Sequence, residues 1–121
     1  LGASLLGRDN HKKYYEQALR VWTLVKKDFM EALQGCDLLL LPVVRSAPPL
    51  LTEKDSFIEN CCREEFCAPV SMAGLPSLSI PAFSIEGMPM GVQLVGAPAA
   101  DRFLIEFATG LEEEIGSWKQ D

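Results

Sequence analysis

Histidine is nearly absent from the 121 residues: His11 is the only one. The four cysteines, Cys36, Cys61, Cys62 and Cys67, form no Cys-x-x-Cys pair. One imidazole and scattered thiols make a poor ligand set, so a zinc site is weakly supported. A Cys–His hydrolase would have to use His11, a helix-start histidine flanked by Lys12 and Lys13, which favours an exposed ring over a catalytic base. Adjacent Cys61 and Cys62 cannot easily bridge, and the thiols read as free, partly buried groups of a reducing compartment. Long apolar runs are missing too, and none approaches the ~20 residues of a membrane span. Positive charge is sparse: 11 Lys and Arg stand against 17 Asp and Glu, net -6, with no basic cluster longer than Lys12-Lys13 or Lys26-Lys27. Phosphate contacts need clustered cations, so direct nucleic-acid binding is not expected. Gly87, Gly91 and Gly96 are followed by no Lys at the spacing of a phosphate loop and read as turn and close-packing positions. No signal-peptide pattern and no initiating methionine are visible, so the expectation is a processed product or a fragment.

What is present is ordinary globular material, 48% hydrophobic and 23% charged, in a length that suits one domain. Asp9 or Asn10 can cap a helix that runs to Leu33 and stops at Gly35. Tyr15, Leu19, Trp22, Val25, Phe29 and Leu33 recur at steps of three and four along it. Such a helix is ~35 Å long, which suggests that it packs along something larger. Leu38 to Val44 is an apolar run without alternation, as in a parallel strand covered on both faces, and Pro42 should end it or bulge it. Residues 45–55, with Pro48-Pro49, read as a loop. Residues 56–67 read as a short helix, with Ser56 and Glu59 as its capping box.

The most informative stretch is 69–96. Gly74 and Pro76 mark a sharp bend after a helix end. Two strands are expected, Leu78 to Phe83 and Gly91 to Val95, with residues 84–89 as a loop between them. A last helix runs from about Ala100 to Ile115, with a stripe of Phe103, Leu104, Phe107, Ala108, Leu111 and Ile115, Asp101 at the positive end of its dipole and a frayed polar tail after it. The expected class is α/β, with helices on both faces of the sheet. The helices are too few to cover continuously apolar strands, so the sheet is expected to continue outside residues 1–121, which form one partial domain.

Pro69-Val70-Ser71-Met72-Ala73-Gly74-Leu75-Pro76-Ser77-Leu78-Ser79-Ile80-Pro81 resembles the C-terminal part of the amidase signature family. So does Gly87-Met88-Pro89-Met90-Gly91-Val92-Gln93-Leu94-Val95-Gly96. Tyr15, Ala18, Val21, Leu24, Asp28-Phe29 and Cys36-Asp37 with the leucine run extend the likeness to nearly the whole chain. It is strongest towards the family's glutamine-hydrolysing amidotransferase branch. The resemblance implies a mixed sheet covered by helices on both faces, no cofactor, and amide hydrolysis by a Ser–cis-Ser–Lys arrangement. That arrangement lies upstream of this part of the family pattern, and no Gly-Gly-Ser-Ser-Gly stretch occurs here. The chain is therefore expected to hold no catalytic residue and to supply a flank of the sheet and a wall of the substrate pocket.

Several residues carry the resemblance. Ser71, Gly74, Pro76, Pro81, Gly91, Gln93 and Gly96 occupy the motif, with Ser71 where the family has Asn. Glu64, five residues before Pro69, matches an acidic position thought to face the substrate amino group, where the branch has Asp. The implied partners are the remainder of the amidase domain and other amidotransferase subunits, in cytoplasm or mitochondrial matrix. A non-catalytic remnant, or a family member acting on fatty or aryl amides, are the alternatives.

Other polar groups have plainer readings. Ser77 and Ser79 share one sheet face but have no Lys or His near them in sequence, so neither is expected to be a nucleophile. Glu112-Glu113-Glu114 and Asp37 read as solvated. Leu38 to Leu41 and Leu78 to Ile80 are expected to make the isolated chain aggregation-prone through an open sheet edge.

Overall fold

A computed structural model of the protein describes residues 14–48, 56 and 62–115. The elements in chain order are α1 (Glu16–Ala32), β1 (Leu38–Pro42), α2 (Cys67–Ala73), β2 (Ser77–Ile85), β3 (Met88–Gly96) and α3 (Asp101–Ile115). The three strands form one sheet of order β1-β3-β2, and both pairings are antiparallel. The parallel direction read into Leu38 to Val44 is therefore not what the described strands show. A continuous apolar run reports cover on both faces, not strand direction. Leu39 and Leu41 pack against Val70, Ala73, Leu75 and Val95 beneath α1 and α2. Leu38 packs on the opposite face with Ile80, Leu94, Leu104 and Ala108. The α/β class with helices on both faces stands.

The cover is diagonal. On one face α1 and α2 lie over β1 and β3. On the other, α3 lies over β2 and β3. Among the described strands β3 is the most fully roofed, and Leu94 and Val95 are completely buried there. Leu40, on the α3 side of β1 where α3 does not reach, is 60% exposed.

The hairpin is tighter than the sequence suggested. β2 runs on to Ile85 and β3 begins at Met88, leaving only Glu86-Gly87 between them. Both have positive φ, 51° and 77°, as a two-residue type I′ turn requires. The two prolines of the hairpin sit where ladder hydrogen bonds are dispensable. Pro81 lies on edge strand β2 beside a register shift, and Pro89 lies on β3 beyond the stretch that β1 pairs.

Within the helix read over 56–67, Cys62 and Arg63 are helical and a turn over 64–66 follows. Residues 57–61, with Glu59 of the capping box, lie outside the described residues. Helix α2 follows that turn and contains Pro69 in its own first turn, where a missing N–H removes no helical bond. α2 ends as read, at Gly74 with φ 67° and ψ 36°. Leu75 N–H donates to Val70 O and Gly74 N–H to Ser71 O, the two bonds of a Schellman closure, and Val70 and Leu75 meet in the core.

Helix α1 ends without a left-handed cap. Gly35 is not among the glycines with positive φ, and the last carbonyls are taken up by close bonds from Leu33, Gln34 and Gly35. Asp9, Asn10 and the tail from 116 lie outside the described residues. Of the stripe read on α3, Leu104 and Ala108 are buried and Leu111 half-buried, whereas Phe103, Phe107 and Ile115 are exposed.

Candidate functional site

The joint between β1 and α2 holds Glu64. Val43 and Val44 leave the strand, and Arg45 then meets the turn before α2. Arg45 Nε donates to Glu65 Oε1 at 2.6 Å and its Nη2 to Glu65 Oε2 at 2.5 Å. This forked pair raises the guanidinium pKa, through the hydrogen bonds and the charge of Glu65. Cys67 Sγ adds a weak donor contact to Val43 O at 3.5 Å. Glu64, the next residue back, accepts backbone hydrogen bonds from Cys67 and Ala68 at its carbonyl, while the residue itself is exposed. The turn is thus pinned at Glu65 and leaves Glu64 facing outward. Ser71 is exposed further along α2.

The remaining motif residues build the scaffold. Pro76 O accepts the N–H of Gly96 at 3.0 Å, which brings the start of β2 against the end of β3. A Cβ on Gly91 would stand 3.0 Å from Ile80 O. A Cβ on Gly96 would stand 3.1 Å from Ala100 Cβ and from Leu104 Cγ. Both glycines are therefore close-approach positions, Gly91 between strands and Gly96 beneath α3. Among the described residues Gln93 is the buried polar residue of the core, 4% exposed, and its Oε1 has no hydrogen-bond partner.

No hydrolytic centre is visible among the described residues. Lys27 pairs with Glu31 at 3.4 Å, and Lys26 lies 5.9 Å from the centre of the Trp22 ring. Both lysines are spent on the surface of α1. Ser77, Ser79, Asp37 and Glu112 to Glu114 are exposed. Cys36, Cys62 and Cys67 are free thiols, of which only Cys67 is partly buried. Cys36 is exposed because it follows the end of α1, where its thiol reaches back to Ala32 O at 3.3 Å. His11 and Cys61 lie outside the described residues. No group of three His, Cys, Asp or Glu that could hold a metal occurs among the described residues. No described helix is long and apolar enough to cross a membrane. A pocket of about 130 Å³ between Ser77, Leu78, Asp101 and Ile105 has one carboxylate and no base, and is small for a substrate.

The scaffold, without a triad, is what comparison with known proteins accounts for. The amidase family model matches residues 1–105. This chain belongs to the amidase family. It is 33% identical over 116 residues to a glutamyl-tRNA(Gln) amidotransferase subunit of Fusobacterium nucleatum, covering 96% of this chain and 24% of that one. The mitochondrial counterpart of that subunit in Anopheles gambiae is 34% identical over 118 residues, with 94% and 24% covered. The crystal structure of the Thermotoga maritima counterpart superposes with a TM-score of 0.79 at 26% identity, covering 93% of this chain and 25% of that one. This amidase chain thus spans about a quarter of the length of the relatives it matches.

Proposed function

We propose that the chain is the C-terminal segment of an amidase-signature amidohydrolase of the glutamine-hydrolysing amidotransferase branch. The observation that carries this is the coverage: relatives named as one subunit of glutamyl-tRNA(Gln) amidotransferase match 96% of this chain with 24% of their own length. In the parent enzyme a serine oxygen would attack the carboxamide carbon, and ammonia would leave as the acyl-enzyme forms. Water would then release glutamate, and the ammonia would pass to the partner subunit that holds the activated tRNA. The nucleophile and its lysine belong to the remainder of the domain. This segment contributes the flank of the sheet and one wall of the pocket, in a protein of cytoplasm or mitochondrial matrix.

Glu64 is the residue of this segment assigned to the substrate. An exposed carboxylate on a pinned turn can face the ammonium of glutamine, an interaction equally available in ground and transition states. The test is the enzyme formed by this segment with the rest of its domain. Glu64→Gln should raise KM for glutamine about tenfold and leave kcat nearly unchanged, the signature of lost uniform binding. An unchanged KM removes Glu64 from the pocket. The 121 residues alone should turn over no amide. Glutaminase activity that survives alkylation of the thiols would overturn that expectation.

A second reading is a non-catalytic remnant that keeps the scaffold for binding. It is favoured by the surface placement of both described lysines. The reading frame upstream of Leu1 separates the two: a Lys followed by a Gly/Ser-rich signature supports the enzyme, and a natural start there supports the remnant.

A further inference from the structure

Two contacts tie the exit of β1 to the turn before α2. The Cys67 thiol reaches Val43 O at 3.5 Å. Two residues further on, Arg45 sets Nε and Nη2 on the two carboxylate oxygens of Glu65, at 2.6 and 2.5 Å. Strand β1 is paired with β3 along its whole length, so the guanidinium starts from a fixed base. Glu64 is the residue beside the one it grips. The Glu64 carbonyl accepts the N–H groups of Cys67 and Ala68 at 3.1 and 2.9 Å. Backbone bonds from α2 therefore hold Glu64 on one side, and the fork holds its neighbour on the other. The fork is exposed, with 70% of the Arg45 side chain and 28% of the Glu65 side chain open to solvent. An ion pair in that setting adds little to folding. What a fork adds is direction, because two parallel N–H···O bonds fix the plane of the carboxylate as well as its distance. It also commits the guanidinium to Glu65, so that of two adjacent carboxylates one is neutralised and the other stays exposed.

We propose that Arg45 is a positioning residue for the substrate: through Glu65 it fixes the turn that presents the Glu64 carboxylate to the ammonium of glutamine. The inference rests on the proposed function, which assigns Glu64 to that ammonium. Arg45 itself touches no substrate atom. Without the fork, Glu65 is released, the turn over 64–66 loses its tie to β1, and Glu64 samples directions that miss the ammonium. Glu65 then becomes a second, unneutralised carboxylate that draws the ammonium to the wrong place. Both effects act on substrate binding and not on the chemical step, because the ammonium is remote from the carboxamide and keeps its charge throughout the reaction.

The test uses the enzyme formed by this segment with the rest of its domain. Its substrates are glutamine and glutaramate, which is glutamine without the amino group. Arg45→Ala should raise KM for glutamine about three- to fivefold with kcat unchanged. The melting temperature should stay within about 2 °C, since the pair lies on the surface. KM for glutaramate should not move, because that substrate has no ammonium to miss. Arg45→Lys keeps the charge without the fork and should raise KM for glutamine about twofold. That variant decides the matter if the alanine variant fails to fold. With Glu64→Gln already in place, Arg45→Ala should add nothing, because the group it aims is gone. If Glu64→Gln raises KM and neither Arg45 variant does, the inference falls and the role proposed for Glu64 stands. An equal rise for glutaramate, or a further rise on the Glu64→Gln background, would make Arg45 a general support of the pocket and overturn the inference as well. An unchanged KM for Glu64→Gln, or no glutaminase turnover by the whole unaltered protein, would overturn both the inference and the reading it rests on.

Discussion

Strand β3 and helix α1 invert the expected relation between size and burial. β3 has nine residues, of which Met90, Gln93, Leu94, Val95 and Gly96 are buried. α1 has seventeen and buries none. The strand is paired on both edges and roofed on both faces. The helix touches the rest through its C-terminal half, where Phe29, Met30 and Leu33 pack against the core, and through the Trp22 indole N–H, which donates to Met72 O at the end of α2. Toward its start, Leu19 and Trp22 are each 40% exposed although they continue the same stripe. The difference separates two kinds of apolar pattern. One is satisfied within these residues. The other is left without cover by the described residues.

Deleting side chains from the two elements should expose the contrast most strongly. Leu94→Ala removes a fully buried leucine from the centre of the sheet and should cost about 2–5 kcal/mol in urea unfolding. Leu24→Ala on α1 should cost less than about 0.5 kcal/mol in the chain alone, since the residue is already in water. A comparable loss at both positions would mean that α1 is covered in solution, by self-association for example.

Gly96→Ala sharpens the same point at the end of β3. The added methyl meets Ala100 and Leu104 at 3.1 Å, and overpacking should cost about 1–3 kcal/mol unless α3 shifts outward. Near-neutrality would show that α3 is loosely seated.

How much of this was legible depends on what each residue had to report. Helix α3, strand β1 and the Gly74 closure could be read because periodicity, an apolar run and a Gly-Leu-Pro bend are local signals. Both hairpin strands could be read, but their lengths next to the turn could not, because the turn is Glu-Gly, not Asn-Gly or Asp-Gly, and Pro89 weighs against a strand unless its place beyond the stretch that β1 pairs is known. The end of α2 at Gly74 could be read but its start could not, because Pro69 is harmless only through its place in the first turn. Gln93 was legible as a motif position, but its unpaired oxygen was not, because hydrogen-bond accounting needs three dimensions. Glu64 was singled out by resemblance alone. The fork between Arg45 and Glu65 that pins its turn joins residues twenty apart and leaves no local trace.

A smaller effect is expected where α3 begins. Ala99 holds φ at 65°, a left-handed value that a Cβ resists. Ala99→Gly should therefore stabilise the chain by up to about 1 kcal/mol, read as a shift of the urea midpoint at constant slope. A loss of stability would mean that the flexibility glycine adds to the unfolded chain outweighs the relief.

The smallest change in folding free energy, with a large change in behaviour, is expected at Leu40. It lies on β1 at the edge of the described sheet, 60% exposed, on the side that α3 leaves open. An exposed apolar residue on a strand with one unpaired edge invites edge-to-edge association, and lysine at such a position opposes it by charge and hydration. Leu40→Lys should thus leave the unfolding midpoint within about 0.5 kcal/mol while raising the concentration at which light scattering appears. Unchanged scattering would shift the blame to the outer band of α1, where Val21→Lys is the matching variant. If neither matters and the unaltered chain stays monomeric with a cooperative transition, the uncovered faces are tolerated in water. The unburied half of α1 would then no longer count as evidence for missing cover.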